Sequence, residues 1–294
     1  MAHFLVSGGR RMMWAAALVL GCCGATTAGT VIIHSNNTSP GDSVTQLGFL
    51  PGSLANSQAL SGGWSYTNVY RGGQVGITTT FAGAGSNGSV YLKTNGATGS
   101  GTNNKADIEY RPGGNLGTLS ELTSLAYDWY RASSNSTTQV PSLRILLSNQ
   151  RYLVWEPIYN GFANAASSSS TAIPTGEWTT SDVLGGNFWY TGDIAHLGQA
   201  NYRYNMTLED WIAISAVNNL SIIGFSSGVG SSSGYSFEGA VDNITFGFNG
   251  ASTTYNFEVR GLPTPAVPEP SSVAMGLIAG AAGLVMAARR RRAN

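Results

Sequence analysis

Asp107 and Glu109, in Asp-Ile-Glu, are the two carboxylates of this chain best spaced to share one reaction. In a strand both point to one face, with Cα atoms about 7 Å apart. Paired carboxylates hydrolyse glycosidic bonds, with retention at about 5–5.5 Å and with inversion at about 6.5–9.5 Å. Arg111 and Pro112 follow, and no third acid joins the pair. The competing expectation is a charged strand face turned to water, and the sequence favours it.

Glu238 and Asp242 also share a face, but four residues apart they lie about 13 Å from each other along a strand. That is too far for a direct acid–base pair. Asp242 has the parity of Ile244, Phe246 and Phe248, which places it on the core side at a strand end. A turn-binding role or a structural calcium ion suits it, although no dense acidic loop surrounds it.

Other chemistries lack their residues. The cysteines are Cys22 and Cys23, and past the N-terminal segment the histidines are His34 and His196. Neither a thiol enzyme nor a His-rich metal site can be assembled from these. No Gly-x-Ser-x-Gly elbow occurs. Gly62-Gly63 and Gly113-Gly114 read as turns, since no phosphate-loop lysine or helix follows. Aromatic residues are the remaining resource: Trp64, Tyr66, Tyr70, Trp155, Tyr159, Trp178, Trp189 and Tyr190. Most are expected in the core. Trp189 and Tyr190, beside Gly185-Gly186-Asn187, read as a loop pair that could stack on sugar faces.

Short β-rich runs must position these residues. They include Ser89–Lys93, Ala106–Tyr110, Ser124–Arg131, Ser142–Leu147, Tyr152–Tyr159, Leu220–Phe225, Ser236–Phe248 and Thr253–Val259, separated by Gly, Ser, Asn and Pro. Leu125, Tyr127 and Trp129 alternate with polar residues, as do Leu143, Ile145 and Leu147, so each strand has one face on a core. The expected fold is all-β, one antiparallel sandwich over residues 29–262. One helix is expected after Thr207, an N-cap followed three residues later by Asp210. Ser167–Ser170 and Ser231–Ser233 read as mobile loop tips. Asn87, Asn135, Asn205 and Asn243 head Asn-x-Ser/Thr triplets that read as turn residues.

Of 294 residues, 42% are hydrophobic and 10% are charged, which excludes a disordered chain. Residues 1–28 read as an export signal: Arg10 and Arg11, then apolar Met12–Leu20, then small residues with a cut after Ala28. Both cysteines would leave with it. At the other end, a Pro-rich hinge over 263–272 contains Pro268-Glu269-Pro270. An apolar run, Val273–Ala288, follows, just long enough for a thin bilayer. Arg289, Arg290, Arg291 and Arg292 would hold the tail at 289–294 in the cytoplasm. Without Arg10, Arg11, Arg289–Arg292 and Glu269, nine basic residues face fourteen acidic ones, a net charge of about −5. That charge argues against nucleic acid as a partner.

Pro268, Glu269 and Pro270, the small-residue apolar run and the arginine cluster together resemble the PEP-CTERM sorting signal, the substrate of exosortases in exopolysaccharide-producing Gram-negative bacteria. The resemblance covers about the last 28 residues. It implies an exosortase-type membrane protease as partner, passage through the inner membrane, and a place at the cell surface or in the matrix among exopolysaccharide. Phe237–Phe246, with Val241-Asp242-Asn243, resembles a late strand of jelly-roll, concanavalin-like and carbohydrate-binding-module sandwiches. The expected function is a non-enzymatic surface protein, glycan-binding through Trp189 and Tyr190. The alternative is a secreted glycoside hydrolase using Asp107 and Glu109. The laminarinase-type pattern Glu-x-Asp-x-x-Glu is not met, because Asp107 stands at its first position.

Overall fold

The computed structural model describes residues 29–47, 56–83, 85–96, 104–162, 171–193, 204–230 and 235–261. The proposed signal peptide, the Pro-rich hinge, the apolar run, the arginine tail, His196 and both serine-rich loop tips lie outside these residues.

Two sheets form a sandwich, as the alternation requires. One is seven-stranded and one nine-stranded. The first holds β1 (Gly29–Thr38), β4 (Gly73–Thr78), β5 (Ser89–Asn95), β8 (Leu122–Ser134), β11 (Trp178–Asp182), β15 (Ser236–Phe248) and β16 (Ala251–Arg260). The second runs in the order β13 (Met206–Thr207), β12 (Asn187–Tyr190), β10 (Tyr152–Trp155), β9 (Ser142–Leu147), β14 (Ser221–Gly230), β6 (Lys105–Tyr110), β3 (Trp64–Tyr70), β2 (Gln58–Ala59). The two-residue β7 (Gly117–Thr118) pairs with β14. The chain alternates between the sheets, in keeping with a jelly-roll-like order.

Aromatic rings from both sheets meet in the middle. Trp64 of β3 packs edge-on to Phe257 of β16, with centroids 5.0 Å apart. Phe225 of β14 stacks on Phe246 of β15 at 4.1 Å, and Tyr127 of β8 meets Trp155 of β10. Such pairs add roughly 0.5–1.5 kcal/mol each beyond the area they bury.

The sheets are not wholly antiparallel. β1 pairs with β16 in parallel, Val31 against Tyr255 and Ile33 against Phe257. The first and last described strands therefore close one sheet edge together. The strand expected over Tyr152–Tyr159 stops at Trp155, because Pro157 lacks the N–H a ladder needs and opens a single 3₁₀ turn, Pro157–Tyr159. Trp189 and Tyr190 lie in a strand, not in a loop. The expected helix forms as α1 (Leu208–Ile212). Thr207 and Asp210 satisfy each other's backbone N–H groups in a capping box. It buries Trp211, whose indole N–H donates to the Phe188 carbonyl 3.1 Å away. The Gly62-Gly63 and Gly113-Gly114 turns all have positive φ.

Bulges decide which face several side chains take. Along β15, Phe237 and Val241 face the core, and so do Ile244 and Phe246. The change of parity falls at Asn243, whose φ is 47°, and there the pairing with β8 jumps from Asp242–Asp128 to Thr245–Ala126. Asp242 therefore points away from the core, on the face of its cross-strand partner Asp128. This corrects the placement that uninterrupted alternation implied.

Candidate functional site

The outward face of the nine-stranded sheet carries a belt of polar side chains at matched register. One row reads Ser65, Glu109, Ser226, Arg144, Val154 and Trp189 across β3, β6, β14, β9, β10 and β12. The next reads Thr67, Asp107, Gly228 and Ser142. Cross-strand partners share a face, so period-two alternation in six separate strands assembles one surface.

Asp107 and Glu109 do share that face, but it does not turn them to water. Asp107 is 0% exposed and Glu109 3%. Asp107 is held by two cations, Arg144 at 2.8 Å on one oxygen and Lys105 at 2.9 Å on the other. Asn68 donates to it at 3.1 Å. Arg144 is fixed in turn by Ser142, to which its Nε donates at 2.9 Å. Gly228 lies between Asp107 and Ser142, beneath the reach of Arg144, and a Cβ there would overlap the Asp107 carboxylate. Glycine is thus what lets Asp107 and Arg144 meet across β14. Glu109 accepts from the Tyr152 hydroxyl at 2.8 Å, with Arg111 3.9 Å away. Burial pushes the Glu109 carboxyl above its ordinary range, against the opposing pull of Tyr152 and Arg111.

At one end the face opens into a pocket of about 290 Å³. Ser142 and Gly228 of the polar belt reach it, along with Glu156, Trp189, Tyr159, Tyr204 and Tyr235. Tyr159 and Tyr204 stack with centroids 4.3 Å apart, and Trp189 lies 6.0 Å from Tyr204. Tyr159, Tyr204 and Tyr235 are each more than a third exposed. The Trp189 indole N–H donates to Glu156 at 2.8 Å. Burial raises the Glu156 carboxyl, and that hydrogen bond opposes the rise. The pocket thus offers apolar ring faces beside a carboxylate.

Trp189 belongs to this pocket, while its neighbour Tyr190 does not. Adjacent strand residues face opposite sides, and Tyr190 lies in the core at 4% exposure, its hydroxyl accepting from Asn149. Tyr159, Tyr204, Tyr235 and Glu156 were not singled out together from sequence. Only the spatial approach of residues about 159 and 204 reveals them.

Asp242 sits on the opposite side of the molecule. On one edge, β15 pairs with β5 up to Val241 and with β16 from Ile244. Asp242 fills the fork between these two partners. Its Oδ1 accepts from the backbone N–H groups of Phe257 and Asn243, at 2.9 and 2.8 Å. Its Oδ2 is buried without a hydrogen-bond partner. Asp128 is engaged by Thr180 and Asn243, and Glu258 by Asn87, Ser86 and Asn256. One open carboxylate oxygen falls short of the six to eight oxygens calcium takes. Among the described residues no group of three or more His, Cys, Asp or Glu could hold a metal ion.

Residues 266–292 match the family described as the PEP-CTERM protein-sorting motif. The chain thus carries a signal for export and surface sorting, with an exosortase as its processing partner. Among the described residues no helix is long and apolar enough to cross a membrane. Comparison with curated proteins gives no significant match. Among solved structures, an exo-β-agarase is similar at 14% identity and a TM-score of 0.34, over 67% of this chain and 24% of that one. A carbohydrate-binding module specific for non-crystalline cellulose is similar at 11% identity and a TM-score of 0.28, over 74% and 97%. The chain therefore spans about a quarter of the agarase. At such scores neither likeness bears on binding or chemistry.

Proposed function

We propose that this exported protein is a non-enzymatic glycan-binding protein of the cell surface or matrix, and that the aromatic pocket beside Glu156 is its binding site. The observation that carries the reading is the grouping of Trp189, Tyr159, Tyr204 and Tyr235 around one cavity with a carboxylate among them. Sugar rings present apolar C–H faces edged by hydroxyls. Aromatic faces with polar tips, placed in a pocket, complement both. A non-catalytic role is favoured because Asp107 is engaged by two cations and Glu109 by Tyr152. The hydrolase alternative would need both to reach substrate.

A glycan array on the exported protein, followed by titration calorimetry, tests the reading. Trp189→Ala is expected to weaken binding at least about tenfold, roughly 1.4 kcal/mol, while Tyr190→Phe, in the core, leaves affinity unchanged. A reducing-sugar assay on the bound glycan should stay at baseline. Turnover that disappears in Asp107→Asn or Glu109→Gln would replace this reading with the hydrolase one.

Processing has its own test. Replacing Pro268, Glu269 and Pro270 by alanine is expected to leave an uncut precursor in the membrane fraction, seen as a larger band on an immunoblot. Normal processing of that variant would show that these three residues are not what the protease reads.

A further inference from the structure

We infer that β3 and β6 become covalently joined by an isopeptide bond between the Lys105 side-chain nitrogen and the Asn68 side-chain carbonyl carbon, with Asp107 as the proton carrier. A single carboxylate oxygen touches both ends of the reaction. Asp107 Oδ2 is 2.9 Å from Lys105 Nζ and accepts from Asn68 Nδ2 at 3.1 Å. The nucleophile and the leaving group are therefore no further apart than those two lengths together.

The backbone is shaped to present Asn68. In an unbroken strand it would face away from Thr67 and Asp107. Here Asn68 adopts φ 50°, and the β3–β6 pairing slips between Thr67–Asp107 and Tyr70–Lys105. That bulge brings the amide round to the carboxylate.

The surroundings favour the chemistry. The Asp107 side chain is fully buried and that of Lys105 only 13% exposed. Taking the ammonium out of water lowers the Lys105 pKa, with Arg144 adding to the effect and Asp107 opposing it. More free amine is then available as a nucleophile. Arg144, 2.8 Å from the other Asp107 oxygen, orients the carboxylate. Exclusion of water also protects the intermediate from hydrolysis.

The step balances without any other reactant. Lys105 gives a proton to Asp107, and the freed amine attacks Asn68 Cγ to form the new C–N bond. Asp107 passes the proton on to Nδ2, the C–Nδ2 bond breaks, and the departing ammonia takes up, by way of Asp107, the proton that the new amide nitrogen loses. One ammonium and one amide thus become one secondary amide and one ammonium ion. The link closes the chain between residues 68 and 105. Such a closure restrains the unfolded state as a disulfide would, in a chain whose cysteines are confined to Cys22 and Cys23.

Intact-mass spectrometry of the mature protein purified from its native envelope is the test. The expected mass is lower than that of the sequence by one ammonia molecule. Trypsin should release a branched peptide joining the fragment that ends at Arg71 to the one that begins at Thr94. Lys105→Arg keeps the cation beside Asp107 and should restore the full sequence mass, as should Asn68→Ala. A folded unmodified protein at full mass, or a deficit that survives in either variant, overturns the inference.

Discussion

Replacing Arg144 by methionine is expected to destabilise the sandwich by about 3–5 kcal/mol, the usual loss when one member of a buried ion pair is removed. Arg144 is 7% exposed and Asp107 0%. Asp107 would then rest on Lys105 and the Asn68 amide alone, in surroundings that solvate a carboxylate poorly. Were Lys105 consumed in the isopeptide bond, Arg144 would be its last cation, and the loss would fall at the upper end of the range. Urea denaturation at neutral pH measures it as a lower midpoint with an unchanged slope.

The same physics predicts a partial rescue. Asp107→Leu combined with Arg144→Met removes both charges and should recover stability relative to either single change, because a matched apolar pair leaves nothing unsolvated. A single Arg144→Met loss below about 1 kcal/mol, the size of a surface pair, would mean that water reaches this face. The glycan reading would then also gain a wetter, more open belt.

How far the sequence already pointed here depends on range. The β-rich runs bounded by turn residues match β9 and β15 to the residue. The Thr207 cap foretold α1, because capping is settled within four residues. What escaped was long-range. Arg144 meets Asp107 only because β14 lies between β9 and β6 with Gly228 at the crossing. The pocket tyrosines come from the 3₁₀ turn after β10, from the segment before β13 and from the residue before β15. No local pattern encodes such meetings.

Bulges are a second feature that strand alternation does not encode. Asn68 and Asn243 both adopt positive φ, a conformation asparagine tolerates better than most residues. Each shifts the alternation by one and so reverses the face of what precedes or follows it. Asp242 was misplaced for this reason, and the reach of Asn68 to Asp107 was invisible for the same one. An asparagine inside an otherwise regular apolar strand is the signal that could have flagged both.

The fork at Asp242 should make stability fall as pH rises. Burial pushes its carboxyl up to about 8, partly offset by the Phe257 and Asn243 N–H groups and reinforced by Glu258 and Asp128. In the unfolded chain an Asp titrates near 4. Between these values the native state holds a proton that the unfolded state has released. The stabilisation is therefore complete below about pH 4, is lost progressively as pH climbs through the interval, and is gone above about pH 8. At about 1.4 kcal/mol per unit the full interval is worth on the order of 5 kcal/mol. Glu109 and Glu156, raised by burial as well, act in the same direction. Asp242→Asn keeps the acceptor for both N–H groups and carries no titratable proton. Its thermal midpoint should therefore fall less than that of the unmodified protein between pH 5 and 9, and the two curves should cross, with the variant more stable at pH 9. Calcium distinguishes a proton from a cation at the orphan oxygen. If an ion filled that position at high pH, adding calcium at pH 9 would raise the midpoint of the unmodified protein and not that of Asp242→Asn. With the proton as occupant, calcium and chelator give the same midpoint, and only pH moves it.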